Sequence, residues 1–107
     1  MKVLIIYCHT SEDSFTAEIK KSFVEGFEKA CHSHRMSDLY AMGFDPVFSE
    51  NEYRREAFYN GEMKIPADVE AEQRKIEWAK VIVFIYPVFW TEAPAMLTGW
   101  FQRVWTY

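Results

Sequence analysis

A loop rich in hydroxyl side chains follows the first apolar run of the chain. It reads HTSEDSFT over residues 9–16 and offers hydroxyl groups at Thr10, Ser11, Ser14 and Thr16. The residues after it predict a helix, and the first turn of a helix has free N–H groups that attract a phosphate. The loop contains no glycine, so it matches neither the G-x-G-x-x-G pattern nor the Walker pattern. The sequence therefore indicates a candidate phosphate site built from hydroxyl groups.

A second candidate surface is the aromatic loop from Pro87 to Thr91, PVFWT. It follows an uninterrupted apolar run, which Pro87 ends because proline has no N–H to donate. Most aromatic residues belong to a core or an interface, so this loop alone indicates little. In an open α/β sheet, however, ligands bind beyond the carboxyl ends of the strands, where both loops begin. A phosphate at one end and a flat aromatic group at the other describe a flavin nucleotide.

Hydrophobic patterning predicts the elements that position these loops. Strands are predicted at about residues 2–7, 34–38 and 81–86, the last of them buried on both faces. Helices are predicted at about residues 14–30 and 68–79 and from residue 95 onward, whereas residues 41–66 are predicted to be irregular. The first helix is expected to bury one apolar stripe, formed by Phe15, Ile19, Phe23 and Phe27.

Strands that alternate with helices predict a parallel α/β sheet with helices on both faces. Right-handed crossovers place the first strand between the other two, in the spatial order 2-1-3. In that order the loops after the first and third strands are neighbours at one edge of the sheet. The hydroxyl loop and the aromatic loop are therefore predicted to form a single site.

The composition excludes several classes of protein. A chain of 107 residues holds one domain, and its net charge of −4, without a basic stripe, argues against nucleic acid as a partner. The longest apolar run, residues 81–90, is too short to span a bilayer. Two cysteines are too few for a disulfide framework, and Cys31, His32 and His34 match no compact zinc pattern, so no metal site is predicted. A cytoplasmic protein is expected.

Four longer stretches carry a resemblance to a known family. They are H-x4-S-F-T at 9–16, DLYAMGFDPVFS at 38–49, DVEAEQRKIEWAKVIVFIYPVFW at 68–90 and EAPAMLTGWFQRV at 92–104. In these stretches, which are ordered and correctly spaced, the chain resembles the NAD(P)H:quinone oxidoreductases of the flavodoxin-like fold. This is the DT-diaphorase type, which includes the ancillary subunits of potassium-efflux systems.

The resemblance implies a bound flavin, FMN or FAD, with NAD(P)H as the reductant. The implied reaction is a ping-pong hydride transfer through the flavin to a small quinone-like acceptor, and no catalytic side chain is assigned. The implied flavin-binding residues form two sets. The phosphate would lie at His9, Ser14, Phe15 and Thr16, and the ring would lie against Pro87, Val88, Phe89, Trp90 and Thr91.

The chain departs from the family in two ways, in the residues of the aromatic loop and in the length of the chain. The family commonly has Gln where this chain has Phe89 and an aromatic residue where it has Thr91, which affects the expected acceptor preference. Relatives also continue with fourth and fifth strands, so the resemblance implies a flavodoxin-like sheet truncated after its third strand. Residues 81–86 would then form an exposed apolar edge, which natural proteins avoid. A longer protein, a complementing chain, or a homodimer through the third strand and third helix is expected.

A second interpretation is a non-catalytic flavodoxin-like module that serves as a regulatory or interaction subunit, with or without flavin. The two interpretations predict different colours. An oxidoreductase is expected to purify yellow and to bleach when NAD(P)H is added.

Overall fold

The computed structural model describes residues 1–88 and 91–106. Within them lie three strands and four helices: β1 (Lys2–Tyr7), α1 (Phe15–Lys29), β2 (Ser33–Asp38), α2 (Glu50–Ala57), α3 (Ala67–Trp78), β3 (Val81–Ile85) and α4 (Ala95–Val104). None of the helices in these two ranges combines the length and the apolar character needed to cross a membrane.

The three strands form one parallel sheet in the order β2-β1-β3, which confirms the predicted topology. Ile5 of the central strand lies opposite Met36 of β2 and Val83 of β3. The predicted bounds of β1 match the structure, and those of β2 and β3 differ by one residue at one end.

Helices cover both faces of the central strand, as predicted. Val3, Ile5 and Tyr7 share a core with Ala17 and other residues of α1. The residues that alternate with them along β1 share a second core with residues of α3 and α4. This division follows from the period of two in a strand, because successive side chains point to opposite faces. β1 is buried from Val3 to its end for that reason.

The prediction that residues 41–66 are irregular is wrong over Glu50–Ala57, where the chain forms α2. Ser49 is the N-cap, and its hydroxyl accepts from the Glu52 N–H at 3.2 Å. The Glu52 carboxylate accepts in return from the Ser49 N–H at 3.1 Å. This reciprocal pair is a capping box, and its signature, Ser followed three residues later by Glu, is present in the sequence.

The predicted apolar stripe on α1 is also partly wrong. Phe15 is 81% exposed and Phe23 is 41% exposed, whereas Ile19 and Phe27 pack against the sheet. A helix has 3.6 residues per turn, so a repeat of four residues drifts by about 40° at each step, and the four side chains cannot all lie on the side that faces the sheet. Ala17, rather than Phe15, takes the buried position at the start of the helix.

β3 is only partly buried, which corrects the prediction of a strand buried on both faces, and it is an edge strand among the described residues. It pairs with β1 on one side. Val81 is 38% exposed, and only Ile85 is buried, because α4 and α1 cover the strand incompletely. The exposed apolar edge expected from the sequence is therefore present in this part of the chain.

Candidate functional site

The carboxyl ends of the three strands lie side by side. The Cys8 N–H donates to the Ile85 carbonyl at 3.0 Å, and the Leu39 N–H donates to the Tyr7 carbonyl at 3.0 Å. These two bonds continue the pairing of β1 with both neighbours up to the point where the loops begin. The hydroxyl loop after β1 and the aromatic loop after β3 thus leave the sheet next to each other, as the strand order predicts.

Ser14 ends the hydroxyl loop and caps α1. Its Oγ accepts from the Ala17 N–H at 3.0 Å and donates to the Ser11 carbonyl at 3.0 Å. The backbone N–H groups of Phe15 and Thr16 have no acceptor among residues 1–88 and 91–106. These are free donors of the first helical turn, and the helix dipole adds positive potential at the same place. The start of α1 is therefore suited to hold a phosphate.

The side chains of Phe15 and Thr16 differ in what they can add to this donor pair. Phe15 is exposed, so the group that it offers to a phosphate is its N–H. Thr16 is buried, at 9% exposure, beneath the first turn of α1. The two acidic residues of the loop, Glu12 and Asp13, are exposed, and water screens their charges from the N–H groups.

His9 is half-buried at the start of the loop, and a backbone contact determines its tautomer. The Ser11 N–H donates to His9 Nδ1 at 2.9 Å. A ring nitrogen that accepts a hydrogen bond carries no proton, so the neutral ring carries its hydrogen on Nε2. His9 therefore has an Nε2–H available as a donor, which suits its predicted contact with a phosphate.

Three of the predicted ring-loop residues lie within the described part of the chain. Pro87 is half-buried, and Val88 and Thr91 are exposed. Phe89 and Trp90 lie outside the described residues. Thr91 has a φ of 69°, in the left-handed region that a β-branched residue rarely occupies, and such a conformation costs about 1–3 kcal/mol. Two other non-glycine residues of the described chain, both outside this loop, also have a positive φ, so this strain alone assigns Thr91 no role.

Tyr7, the last residue of β1, lies beside this site although patterning does not single it out. Its side chain is 2% exposed, and its hydroxyl has no hydrogen-bond partner among the described residues. Burial raises the pKa of Tyr7. The nearby Ser14 hydroxyl offsets part of this rise in pKa. The two oxygens are nevertheless not placed for a hydrogen bond of good geometry. The sequence signal is a tyrosine at the end of an otherwise aliphatic strand.

Cys8, the next residue, is a core thiol rather than a nucleophile. It is completely buried, and this burial raises its pKa to about 11. The reactive form of cysteine is the thiolate, which is scarce at neutral pH when the pKa is so high.

A cavity of about 10 Å³ lies away from the strand ends, between α2, α3 and α4. Glu52, Val69 and Arg103 are among the residues that line it. It has room for about one water molecule, so it belongs to the helix packing and is too small for a nucleotide.

Comparisons with known proteins agree with this fold. A family model described as flavodoxin-like fold matches residues 1–107. A solved structure of the NAD(P)H:quinone oxidoreductase from Methanothermobacter marburgensis is 42% identical with a TM-score of 0.95, over 100% of this chain and 54% of that chain.

Two curated relatives are 35% identical to this chain. They are NAD(P)H dehydrogenase (quinone) 1 of Cavia porcellus, which matches 98% of this chain, and ribosyldihydronicotinamide dehydrogenase (quinone) of Mus musculus, which matches 96%. The matches cover 43% and 50% of those two proteins, so the chain spans about half the length of the curated relatives it matches. The resemblance to quinone oxidoreductases seen in the sequence is confirmed.

Proposed function

Because this chain belongs to the flavodoxin-like fold family, we propose that it binds a flavin nucleotide, FMN or FAD, at the carboxyl ends of β1 and β3. The observation that carries the proposal is the start of α1. There, two free N–H groups lie beside the Ser14 hydroxyl, next to the loop that follows β3. A buried, unpartnered hydroxyl at Tyr7 adds to the polar groups around this point.

In this proposal the two loops have different tasks. The flavin phosphate contacts His9, Ser14, Phe15 and Thr16, through the His9 Nε2–H, hydroxyl groups and backbone N–H groups. The ring lies against the loop of Pro87, Val88, Phe89, Trp90 and Thr91. Donors fixed by a helix terminus need no reorganisation when the anion arrives, which favours binding.

The proposed activity is that of an NAD(P)H oxidoreductase for quinone-like acceptors. A bound flavin would supply hydride transfer between NAD(P)H and the acceptor, while the protein supplies position and electrostatics. The support is the activity named for relatives that are 35% and 42% identical over nearly this whole chain. These relatives extend well beyond the matched region, so activity of residues 1–107 alone is part of what must be measured. A cytoplasmic location stays a prediction from the sequence.

Substituting Ser14 with aspartate tests the phosphate site without removing the helix cap. Aspartate is as good an N-cap as serine, but its carboxylate would repel a phosphate at the start of α1. We expect Ser14→Asp to lower FMN affinity by about 100-fold, equivalent to about 2.7 kcal/mol. We expect riboflavin, which has no phosphate, to bind as it does to the wild type. Quenching of flavin fluorescence on titration with protein measures both affinities.

Ser49→Asp is the matched control, because Ser49 caps α2 and lies outside the proposed site. This control is expected to bind FMN like the wild type. Wild-type protein that remains colourless and does not take up FMN or FAD contradicts the proposed function. Wild-type protein that binds flavin but is not bleached by NADH or NADPH instead favours the non-catalytic module.

A second copy of this chain is proposed as the partner of the β3 edge. Val81, in this strand, is 38% exposed, and so is Phe101, whose ring lies 5.2 Å from that of Phe84. The strand carries no charged residue. Two copies of an uncharged strand can pair across a twofold axis without like-charge repulsion. The same surface would also suit a complementing chain, and the experiment separates the two.

Sedimentation and amide exchange test this interface. We expect a dimer with slow exchange over Val81–Ile85, and we expect Val81→Lys to shift the protein to a monomer because a lysine at the edge blocks pairing. Tyr53→Lys, on the exposed side of α2, should leave the dimer intact. A wild-type monomer whose β3 amides exchange rapidly contradicts the interface. A monomer with protected β3 amides contradicts self-pairing and indicates that another segment of the same chain covers the β3 edge.

A further inference from the structure

We propose that Tyr7 is a positioning residue of the phosphate site, whose hydroxyl donates to Ser14 Oγ when Ser14 turns its own proton to the anion. The inference rests on the proposed function, because it concerns the same phosphate. Tyr7 itself would not contact the anion. It would hold the oxygen of Ser14 in the orientation from which the serine donates.

The first observation is that the Tyr7 hydroxyl is buried without a partner. The side chain is 2% exposed, and its oxygen has no hydrogen-bond partner among the described residues. A buried polar group without a partner has lost its hydrogen bonds to water and gained none in return, so native structures keep few such groups without a reason. A leucine or phenylalanine would meet the packing needs of this position, since Tyr7 belongs to the same core cluster as Ala17 and Ile85 and its ring lies under the Lys20 ammonium.

The second observation is the hydrogen-bond capacity of Ser14. A serine hydroxyl has one proton and two acceptor positions. Here the proton goes to the Ser11 carbonyl, and one acceptor position takes the Ala17 N–H, each at 3.0 Å. The remaining acceptor position is free, and Tyr7 is the neighbouring donor without a partner.

The two observations complement each other when an anion binds. If the Ser14 proton turns from the exposed Ser11 carbonyl to a phosphate oxygen, Ser14 Oγ can accept from Ala17 N–H and Tyr7 O–H together. Hydrogen bonds in such a chain strengthen one another, so donation from Tyr7 makes Ser14 a better donor to the phosphate. Because burial raises the pKa of Tyr7, the phenol keeps its proton at neutral pH and remains a donor.

Tyr7→Phe tests the inference, because it removes the hydroxyl and keeps the ring. We expect FMN affinity to fall by about fivefold to tenfold, the value of one hydrogen bond. We expect riboflavin affinity to stay unchanged, because riboflavin has no phosphate. We also expect the ligand-free variant to melt at the same temperature as the wild type or higher, because an unpaired buried hydroxyl is lost. A purely structural role would change both flavin affinities together.

A double-mutant cycle with Ser14→Ala decides whether Tyr7 acts through Ser14. We expect Tyr7→Phe to have no further effect on FMN affinity when Ser14 is already alanine. Tyr53→Phe, on α2, is the matched control and should change nothing. Equal losses of FMN and riboflavin affinity, unchanged FMN affinity, or a full additional loss in the Ser14→Ala background would each overturn the inference. Each of these outcomes needs a wild type that binds FMN, so they are distinct from failure of the proposed function.

Discussion

Replacing Gly99 with alanine is expected to destabilise the protein by about 3 kcal/mol, the upper range for an overpacked core. Gly99 lies in α4, where Pro46 crosses the helix so closely that an added Cβ would stand 2.5 Å from the Pro46 Cα and nearer still to its carbonyl oxygen. The crossing segment cannot easily retreat, because the Arg103 guanidinium donates to the neighbouring Asp45 carbonyl at 2.7 Å. Urea unfolding followed by circular dichroism measures the change in the free energy of unfolding.

Gly26→Ala is the matched control for this prediction. Gly26 lies within α1, and an added Cβ there would meet nothing within 4 Å. Alanine is the better helix former, so this variant is expected to be more stable than the wild type by about 0.5–1 kcal/mol. The same substitution is thus expected to lower the free energy of unfolding at Gly99 and to raise it at Gly26. A Gly99→Ala variant as stable as Gly26→Ala would contradict the close contact between Pro46 and α4 at Gly99.

The second large effect is expected at Arg103, whose side chain is 5% exposed and connects three helices. Its Nε lies 3.0 Å from Glu52 Oε2 of α2, and its NH1 lies 2.6 Å from Asp68 Oδ2 of α3. The Glu52 side chain is 8% exposed, so removing Arg103 leaves a buried carboxylate without its partner, which costs about 3–5 kcal/mol, whereas Asp68 is 44% exposed and adds little. Arg103→Ala is therefore expected to lose that much stability in the same urea experiment.

Arg54→Ala provides the comparison, because Arg54 pairs with Glu50 at 2.8 Å on the exposed side of α2. Exposed pairs contribute about 0–1 kcal/mol, so this variant should be nearly as stable as the wild type. Equal losses for Arg54→Ala and Arg103→Ala would contradict the burial of the Arg103 network.

The pH dependence of stability gives an independent measurement of the same network. The hydrogen bond from Arg103 lowers the pKa of Asp68 below its ordinary value. A carboxylate with a lowered folded-state pKa contributes stability above the unfolded value, about 3.9, and loses it as the pH falls through the folded value. Wild-type stability should therefore decline below about pH 4. Arg103→Ala should lack the part of this decline that comes from Asp68.

Local patterning was enough to predict the sheet and the place of the candidate site. The alternation of apolar runs with helical patterns predicts three parallel strands, and the handedness of crossovers places β1 in the middle. From this order alone the hydroxyl loop and the aromatic loop become neighbours, and the Cys8 to Ile85 hydrogen bond shows them leaving the sheet together. The capping of α1 by Ser14 is also a local feature, because the Ala17 N–H that donates to its hydroxyl is only three residues away.

Apart from α2, whose capping box has a local sequence signature, the details that patterning missed depend on contacts between distant parts of the chain. Phe15 has the right type and spacing for a core residue, but its direction depends on where α1 meets the sheet. Nothing in the sequence around Gly99 indicates that this residue contacts Pro46. The ion network joins Glu52, Asp68 and Arg103, each of which would otherwise be assigned to the surface as a charged residue.

The three strands, their order and the family follow from short-range periodicity and from matched stretches of residues, both of which can be read along the chain. Which polar groups are buried, and which of them have partners, depends on how distant elements pack together. Tyr7 shows the difference most clearly. In the sequence it is one more apolar residue of β1, and only the packing of α1 over the sheet encloses its hydroxyl beside Ser14 without a hydrogen bond. Burial and pairing arise from all the neighbours at once, so no local pattern can encode them.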